Sequence, residues 1–553
     1  MLDITASGLD FAIVGFYLVL VVGYGVYQGI KIKSTSEFFV ADKRLPWWAC
    51  AIAFTALVLS TQDIVAYAET GYIVGFTAFN PYISIAGFVC LFIALGAPHY
   101  YYTGVYSVPE YLTARFNKNT AMASSFAKLI FLLAIMSFNT YAFAVLVEGL
   151  FGFPVLATMM VLMFLICIYA AVGGVVSVIM ADVLQSAFMI LGGMLVVFIG
   201  INRLGGWSEL IYWTPQVNMM YTTSIHNPSY PAIGMWMGIS IIIAAFYMMH
   251  QGVLQKCLAA RSMNGSRLTM MVYGFVLLPL GCFLTGVPGL ITRALVERGD
   301  LAPLEETGFT LAYLIASVIP TGVIGIVIAG YTAAMFSTTG TYINSSVTII
   351  VNDLYGVATK MQKPDTHYLK VARILTFVVG LGIPFIFVQY FLGIPYLMAA
   401  FYSITSSVVP GVLIAVICGM TMKNFKAKAA TASIIASIVG TMLAVFIPSV
   451  FLRPFAWGVA YTDPGAAWFN TVAGFCWAVA FAIIFSLVPE AKKSDTDLFG
   501  LVRNNPRVDI MNEAYYYGLT KDIKGLHLLP EADKVRYLEM NKIPMVKAWK
   551  GEK

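Results

Sequence analysis

Apolar runs of about 18 residues or more recur from Leu9 to Val488, and each can cross ~30 Å of hydrocarbon as a helix. A bilayer core holds no water for backbone N–H and C=O groups, so a spanning segment must be a helix or a strand of a closed barrel. Barrel strands would be about 10 residues long with period-2 alternation, and that pattern is absent. Of 553 residues, 59% are hydrophobic and 11% charged, against about 25% charged in a soluble globular chain. The mean hydropathy is +0.82. The chain therefore reads as an all-α polytopic membrane protein with about thirteen transmembrane helices.

Hydropathy places spans at 9–30, 46–70, 80–102, 122–150, 154–176, 180–202, 234–257, 271–294, 310–352, 371–392, 396–420, 429–449 and 467–488. The ninth is too long for one straight crossing, so its ends lie outside the core. Basic residues follow every odd span: Lys31, Lys33, Lys43 and Arg44; Arg115 and Lys118; Lys256, Arg261 and Arg267; Lys360, Lys363 and Lys370; Lys423, Lys426 and Lys428; Lys492 and Lys493. Connections after even spans carry few. The positive-inside rule then puts the N-terminus outside and the C-terminus in the cytosol of a multi-pass cell-membrane protein. The net charge of +6 reflects that bias and gives no argument for nucleic acid.

No cleavable signal peptide is expected, because the head MLDITASGLD is acidic and the apolar segment after it is long enough to remain a span. The seven cysteines form no CxxC and read as small hydrophobes. A membrane domain is expected over residues 1–489. The polar remainder, 490–553, is too short for a confident catalytic domain; it reads as a tail packed on cytosolic loops, with a regulatory or partner role as the alternative.

Inside this apolar frame lies a polar stripe. Ala334, Ser337, Thr338 and Thr341 recur at i, i+3, i+4 and i+7 and share one helix face. Hydroxyls at bilayer depth either join helices, at about 0.6 kcal/mol per contact, or coordinate a hard cation. Two spans are also interrupted, one at Ser60-Thr61-Gln62-Asp63 and one at His250-Gln251-Gly252. If residues 46–202 and 234–420 are two five-helix units, both breaks fall in a first helix and the units have opposite orientation. Paired broken helices point to a secondary-transporter binding site. No GxxxxGK[ST] loop, HExxH, zinc cluster, GxSxG elbow or TVGYG filter occurs. His99, His226, His367 and His527 have no ligand spacing, and no catalytic residue is expected.

Four stretches together resemble the sodium:solute symporter family: Ser36–Trp48 (SEFFVADKRLPWW), Tyr169–Gly193, Gln251–Ser262 (QGVLQKCLAARS) and Ala333–Tyr355. They occur in the family's order and span about residues 10–490. The resemblance implies a LeuT-type fold of inverted five-helix repeats. It also implies a sodium ion held by the carbonyls of Ala56, Leu59 and Ala334 and the hydroxyls of Ser337 and Thr338. Some relatives bind a second sodium through positions matching Ser337, Gly340, Thr341 and Asp182; here Gly340 supplies no hydroxyl, and Asp182 can instead cap its helix or line the ion's exit path.

For the solute, the breaks and their neighbours offer Gln62, Asp63, Tyr67, Asn80, Tyr82, His250, Gln251 and Gln389. Sugar-carrying relatives tend to have neutral amides where Asp63 and His250 stand, and a Glu near Tyr82. Proline-carrying relatives have aromatics near Ala244 and Met248. Asp63 suits a hydroxyl donor or an ammonium group, or else pairs with His250 or Lys256 in a wet vestibule. Glu69 is expected at a solvated boundary. The expected activity is sodium-coupled symport of a small polar organic solute, a sugar, polyol or amino-acid-like molecule, by alternating access. The partners are sodium, solute and lipid. A nucleoside or organic cation, a channel, or a solute sensor on the same scaffold is the alternative.

Overall fold

The computed structural model describes residues 7–30, 45–75, 83–96, 99–100, 105, 107–214, 223–356, 358–359, 363–391, 397–490, 498 and 501–502. The elements used below are α1 (Gly8–Gly29), α2 (Trp47–Val58), α3 (Thr61–Val74), α4 (Lys118–Phe151), α5 (Val155–Leu204), α6 (Ala232–Met249), α7 (Gln251–Leu258), α8 (Leu278–Glu297), α9 (Ile324–Thr348) and α10 (Asp365–Phe391). Three more long helices follow at Leu397–Thr421, Ala427–Phe446 and Asn470–Leu487.

Among the described residues ten helices are long and apolar enough to span, or eleven when a pair bent by 53° at the α2–α3 junction counts as one. The span expected at 396–420 is the helix Leu397–Thr421, and the described part of the one expected at 80–102 is helical from Ile83 to Gly96. The overlong ninth span divides: Thr310–Val318 is a separate helix, and a break at Ile319–Val323 precedes α9. Large apolar side chains such as Phe16, Phe446 and Leu487 stay on the outside of the bundle, where lipid would meet them.

Helix α5 has 50 residues, about 75 Å if it were straight, more than twice the hydrocarbon thickness. It is not one rod. Ala157, Thr158 and Leu162 share an apolar cavity with Ile324, Gly325 and Ile328 at the start of α9. Tyr169, farther on, donates to Phe336 O at 2.9 Å. Past Asp182 the chain returns, and Gly192 packs against Gly330 and Val327. The two halves thus pass α9 in opposite senses, with the reversal between Tyr169 and Asp182, in the stretch holding Gly173 and Gly174. This agrees with the separate spans expected at 154–176 and 180–202.

Helix α9 is the centre of the molecule. Every residue from Ile324 to Thr348 except Ile326 is buried, as expected of a helix packed on all sides; α1, α2, α3, α4, α5 and α10 all lie against it. Close approach depends on small residues. A Cβ at Gly330 would sit 2.5 Å from Phe188 O, and one at Gly289 of α8 would sit 2.0 Å from Ala68 O of α3.

Two basic residues counted as loop charges belong to the core. Arg115 is buried, donating through Nε to Gly419 O (2.9 Å) and through Nη2 to Met422 O (2.8 Å). It thereby satisfies carbonyls that end the Leu397–Thr421 helix. Lys256 is likewise buried within α7. Beyond the last helix, Leu501 and Val502 are buried, and Tyr111 Oη donates to Leu501 O at 3.0 Å.

The N-terminal end of α9 is held by Asp10. Its carboxylate closes a capping box with Ser7 at the start of α1 and also accepts from Gly322 N (3.1 Å) and Gly325 N (2.6 Å). One buried side chain satisfies donors at two helix N-termini. Asp10→Ala is expected to lower stability by about 2 kcal/mol, the cost of leaving buried donors unmatched, read as an earlier unfolding midpoint of the purified protein in detergent. An unmoved midpoint would remove Asp10 from this role.

Candidate ion and solute site

The site begins where the chain stops being helical. The run AIAFTALVL ends α2, and Leu59 leaves helical geometry at φ −83°, ψ 66°. Ser60 and Asp63 then open α3: Ser60 Oγ donates to Asp63 Oδ2 at 2.5 Å, and Asp63 N donates back to Ser60 Oγ at 3.4 Å. This S-x-x-D capping box is a helix start written into the sequence. The interruption exposes the last carbonyls of α2 and the first N–H groups of α3 in a buried setting, where each needs a partner.

Helices α9 and α4 supply partners. Thr338 Oγ1 lies 3.2 Å from Ala56 O and 3.3 Å from Leu57 O and donates to them. Thr61 Oγ1 donates to Tyr331 O at 3.1 Å. Asn139 of α4 accepts from Gln62 N (3.1 Å) and donates to Thr339 Oγ1 (2.8 Å), binding the start of α3 to α9. Ala334, Ser337 and Thr338 are fully buried on the face turned to the break. Among the described residues Ser337 Oγ makes no hydrogen bond of ordinary length, its nearest charged neighbour being Asp182. A buried polar atom left unmatched costs about 1–3 kcal/mol, so this oxygen is free for a ligand at the point where α2 stops. The structure thus brings Ala56 and Thr338 into contact and leaves Ser337 with an unspent oxygen nearby. Leu59 is the turning residue, its side chain packed toward Gly281.

Three of the four positions of the second ion set, Gly340, Thr341 and Asp182, have other contacts. Thr341 Oγ1 donates to Ser337 O at 2.9 Å, within its own helix. Gly340 has no room for a side chain: a Cβ there would sit 2.3 Å from Tyr169 Oη. Asp182 Oδ2 accepts from Lys256 Nζ at 2.7 Å, with both side chains 1% exposed. Lys256 Nζ also donates to Ala53 O of α2 at 2.6 Å. Among the described residues Asp182 Oδ1 makes no hydrogen bond of ordinary length, though it lies within interaction reach of the Ser337 hydroxyl.

Of the solute candidates, Gln62 is buried with Oε1 unpartnered, and Tyr67 is buried. Asp63 is half-buried and held by Ser60, so it pairs with neither His250 nor Lys256. His250 ends α6. Its Nδ1 accepts from Gly252 N (3.1 Å) and Val253 N (3.4 Å), which places the proton of the neutral ring on Nε2, buried without a partner. The ring stacks on Phe246 (4.4 Å) and meets Tyr342 edge-on (5.4 Å). Gln251 accepts from Lys128 Nζ at 3.4 Å. Asn80 and Tyr82 lie outside the described residues, as does the side chain of Gln389, whose backbone closes α10. Glu69 is not solvated; it is fully buried and accepts from Thr307 Oγ1 at 2.8 Å.

Sequence reasoning missed Asn139, Tyr169 and Lys128, and it placed Lys256 in a loop. The polar group Ser137-Phe138-Asn139-Thr140 in mid-span was a usable signal for Asn139. Lys256 lies six residues beyond a break whose return to helix could not be read from hydropathy.

A model of the sodium:solute symporter family matches residues 38–451. The sodium/glucose cotransporter of Vibrio parahaemolyticus is 26% identical over 487 residues, covering 82% of this chain and 88% of its own length. Sodium/glucose cotransporter 1 of Mus musculus is 23% identical over 68% of this chain, and the sodium/myo-inositol cotransporter of Homo sapiens is 25% identical over 64%. This chain spans 62% and 55% of those two longer relatives. Among solved structures, a Na+-coupled sialic acid symporter, in a substrate-bound outward-open state with a novel Na+-site, matches with a TM-score of 0.76 at 20% identity, over 88% of this chain and 99% of its own. That likeness shows the fold, which is of the LeuT type.

The contact at Gly340 makes a prediction of its own. Gly340→Ala should lower stability by about 1–3 kcal/mol through overpacking. Tyr169→Phe removes the clashing hydroxyl, so the double variant should recover most of that loss in the detergent melting midpoint. An equal loss in single and double variants would place the strain elsewhere.

Proposed function

Because this chain belongs to the sodium:solute symporter family, we propose that it imports a small polar organic solute with sodium across the cell membrane by alternating access. The observation that carries this reading is the junction of α2, α3 and α9. A helix ends in mid-bundle with Ala56 O turned to Thr338, and the Ser337 hydroxyl beside it makes no hydrogen bond of ordinary length among the described residues. Sodium is a hard cation that takes oxygen ligands, and the C-terminal end of a broken helix presents carbonyls with partial negative charge. We assign the ion to the carbonyls of Ala56, Leu59 and Ala334 and the hydroxyls of Ser337 and Thr338. Thr338 Oγ1 gives up donation to Ala56 when it turns a lone pair to the ion.

The solute site follows from the same break. Gln62 Oε1 and the Asp63 carboxylate accept, and His250 Nε2–H donates; Tyr342 touches the His250 ring and lies within electrostatic reach of Asp63. Acceptors, a donor and aromatic faces at the two helix breaks suit a molecule with several hydroxyls, a sugar or polyol. The relatives' names, with glucose and myo-inositol, support that class. The two five-helix units, about 46–202 and 234–420, supply the two broken first helices, and solute binding between them favours occlusion before the bundle opens inward. The charge bias puts the N-terminus outside, so sodium enters with the membrane potential. That potential supplies about 2.3 kcal/mol per charge at 100 mV, enough to concentrate a neutral solute roughly fiftyfold.

Two measurements on protein in liposomes test this. Ser337→Ala or Thr338→Ala should raise the sodium concentration for half-maximal uptake at least about tenfold, a loss of about 1.4 kcal/mol, with the protein still in the membrane. Uptake that persists when choline replaces sodium rejects the coupling. Asp63→Asn should weaken myo-inositol or glucose uptake more than sodium activation, and the reverse order would take Asp63 out of the solute pocket.

A further inference from the structure

We propose that Lys256 is a resident cation standing where a second sodium would be held, so that this carrier binds one sodium. The inference rests on the sodium reading above and specifies its stoichiometry. Lys256 comes from α7, the inner half of the second broken span, and its ammonium lies 2.7 Å from Asp182 Oδ2 and 2.6 Å from Ala53 O. Both side chains of the pair are 1% exposed. One ammonium thus joins α7 to α2 and to the returning half of α5, and it neutralises the carboxylate that a second cation would need.

The remaining ligands of such a site are also withdrawn. The Tyr169 hydroxyl occupies the space a side chain at position 340 would fill, and it is turned to Phe336 O. Thr341 Oγ1 is bonded to Ser337 O. Among the described residues Ser337 Oγ and Asp182 Oδ1 keep unspent oxygens there, and the serine is already assigned to the first ion. An ammonium fixed on this carboxylate takes the charge that would balance a second alkali cation, and the like charge repels that cation. The same two oxygens suit a transient step: an ion leaving Ser337 meets Asp182 Oδ1 next, on a carboxylate whose charge is already balanced. Lys256 therefore lets Asp182 guide the ion without trapping it.

The test uses sodium alone, titrated as 22Na against the purified full chain in lipid nanodiscs. The wild type should bind one sodium per protein with a Hill coefficient near one. Lys256→Met exposes the Asp182 carboxylate and should admit a second sodium, moving the count and the Hill coefficient toward two. Lys256→Gln keeps a donor for Ala53 O, tolerates the buried site better and should behave the same way. The double variant Lys256→Gln with Asp182→Asn should return to one. A wild type binding two sodium ions overturns the proposal, as does a folded Lys256 variant still binding one. No sodium bound by the wild type would sink the sodium reading itself, and the lysine's role with it.

Discussion

The structure turns on a backbone problem: a helix that stops inside the membrane leaves carbonyls and N–H groups with no water to take them. At Leu59–Ser60 the protein meets this with side chains from other helices. The Ser60–Asp63 capping box and Asn139 serve the N–H groups of α3, and Thr338 serves the carbonyls of α2. These contacts make α9 the template on which the break is shaped. They also explain why its polar stripe is both packing and chemistry. The hydroxyl that joins the helices in one state is the oxygen that can face an ion in another, so the two readings of the stripe describe one surface.

A template must be rigid, and α9 is held along its length. Asp10 fixes one end, glycine contacts at Gly325 and Gly330 draw in α1 and α5, and Tyr169 bonds its middle. The second broken span is tied differently. His250 caps α7 with its own ring nitrogen, and Gln251 and Lys256 reach α4, α5 and α2 through polar bonds. Hydrogen bonds and an ion pair can be exchanged one by one. Tight glycine packing has no intermediate arrangement of that kind. At α7 the two kinds of contact meet, for its Gly252 also packs closely on Thr341 of α9.

Much of this was legible in the sequence, because bilayer physics writes its demands in composition. Span positions, the break at Ser60–Asp63 and the face shared by Ala334, Ser337, Thr338 and Thr341 follow from hydropathy, capping and helical spacing. What stayed hidden depends on tertiary partners. Lys256 and Arg115 look like loop charges until the helix ends and the carboxylate they serve are folded onto them. Glu69 looks solvated until Thr307 arrives from 238 residues away. The reversal in α5 has no strong breaker, only Gly173-Gly174, and it becomes visible through what each half touches on α9. Gly340 could be read as a missing hydroxyl, whereas its occupancy by Tyr169 could not.

Charge economy links these features to the direction of transport. A carboxylate alone in a bilayer is costly, and a permanently bound cation beside it would be difficult to release. On the sodium reading proposed above, pairing Asp182 with Lys256 makes this part of the ion path neutral overall while leaving one carboxylate oxygen beside Ser337. A sodium at the break is then a net positive charge that the membrane potential can drive inward, and its next ligand attracts without binding it tightly. Were Asp182 unpaired, the empty carrier would be negative along that path and the sodium-loaded one neutral, and the potential would act mainly on the return step. On that reading, the position of one lysine decides which half of the proposed cycle the membrane potential accelerates.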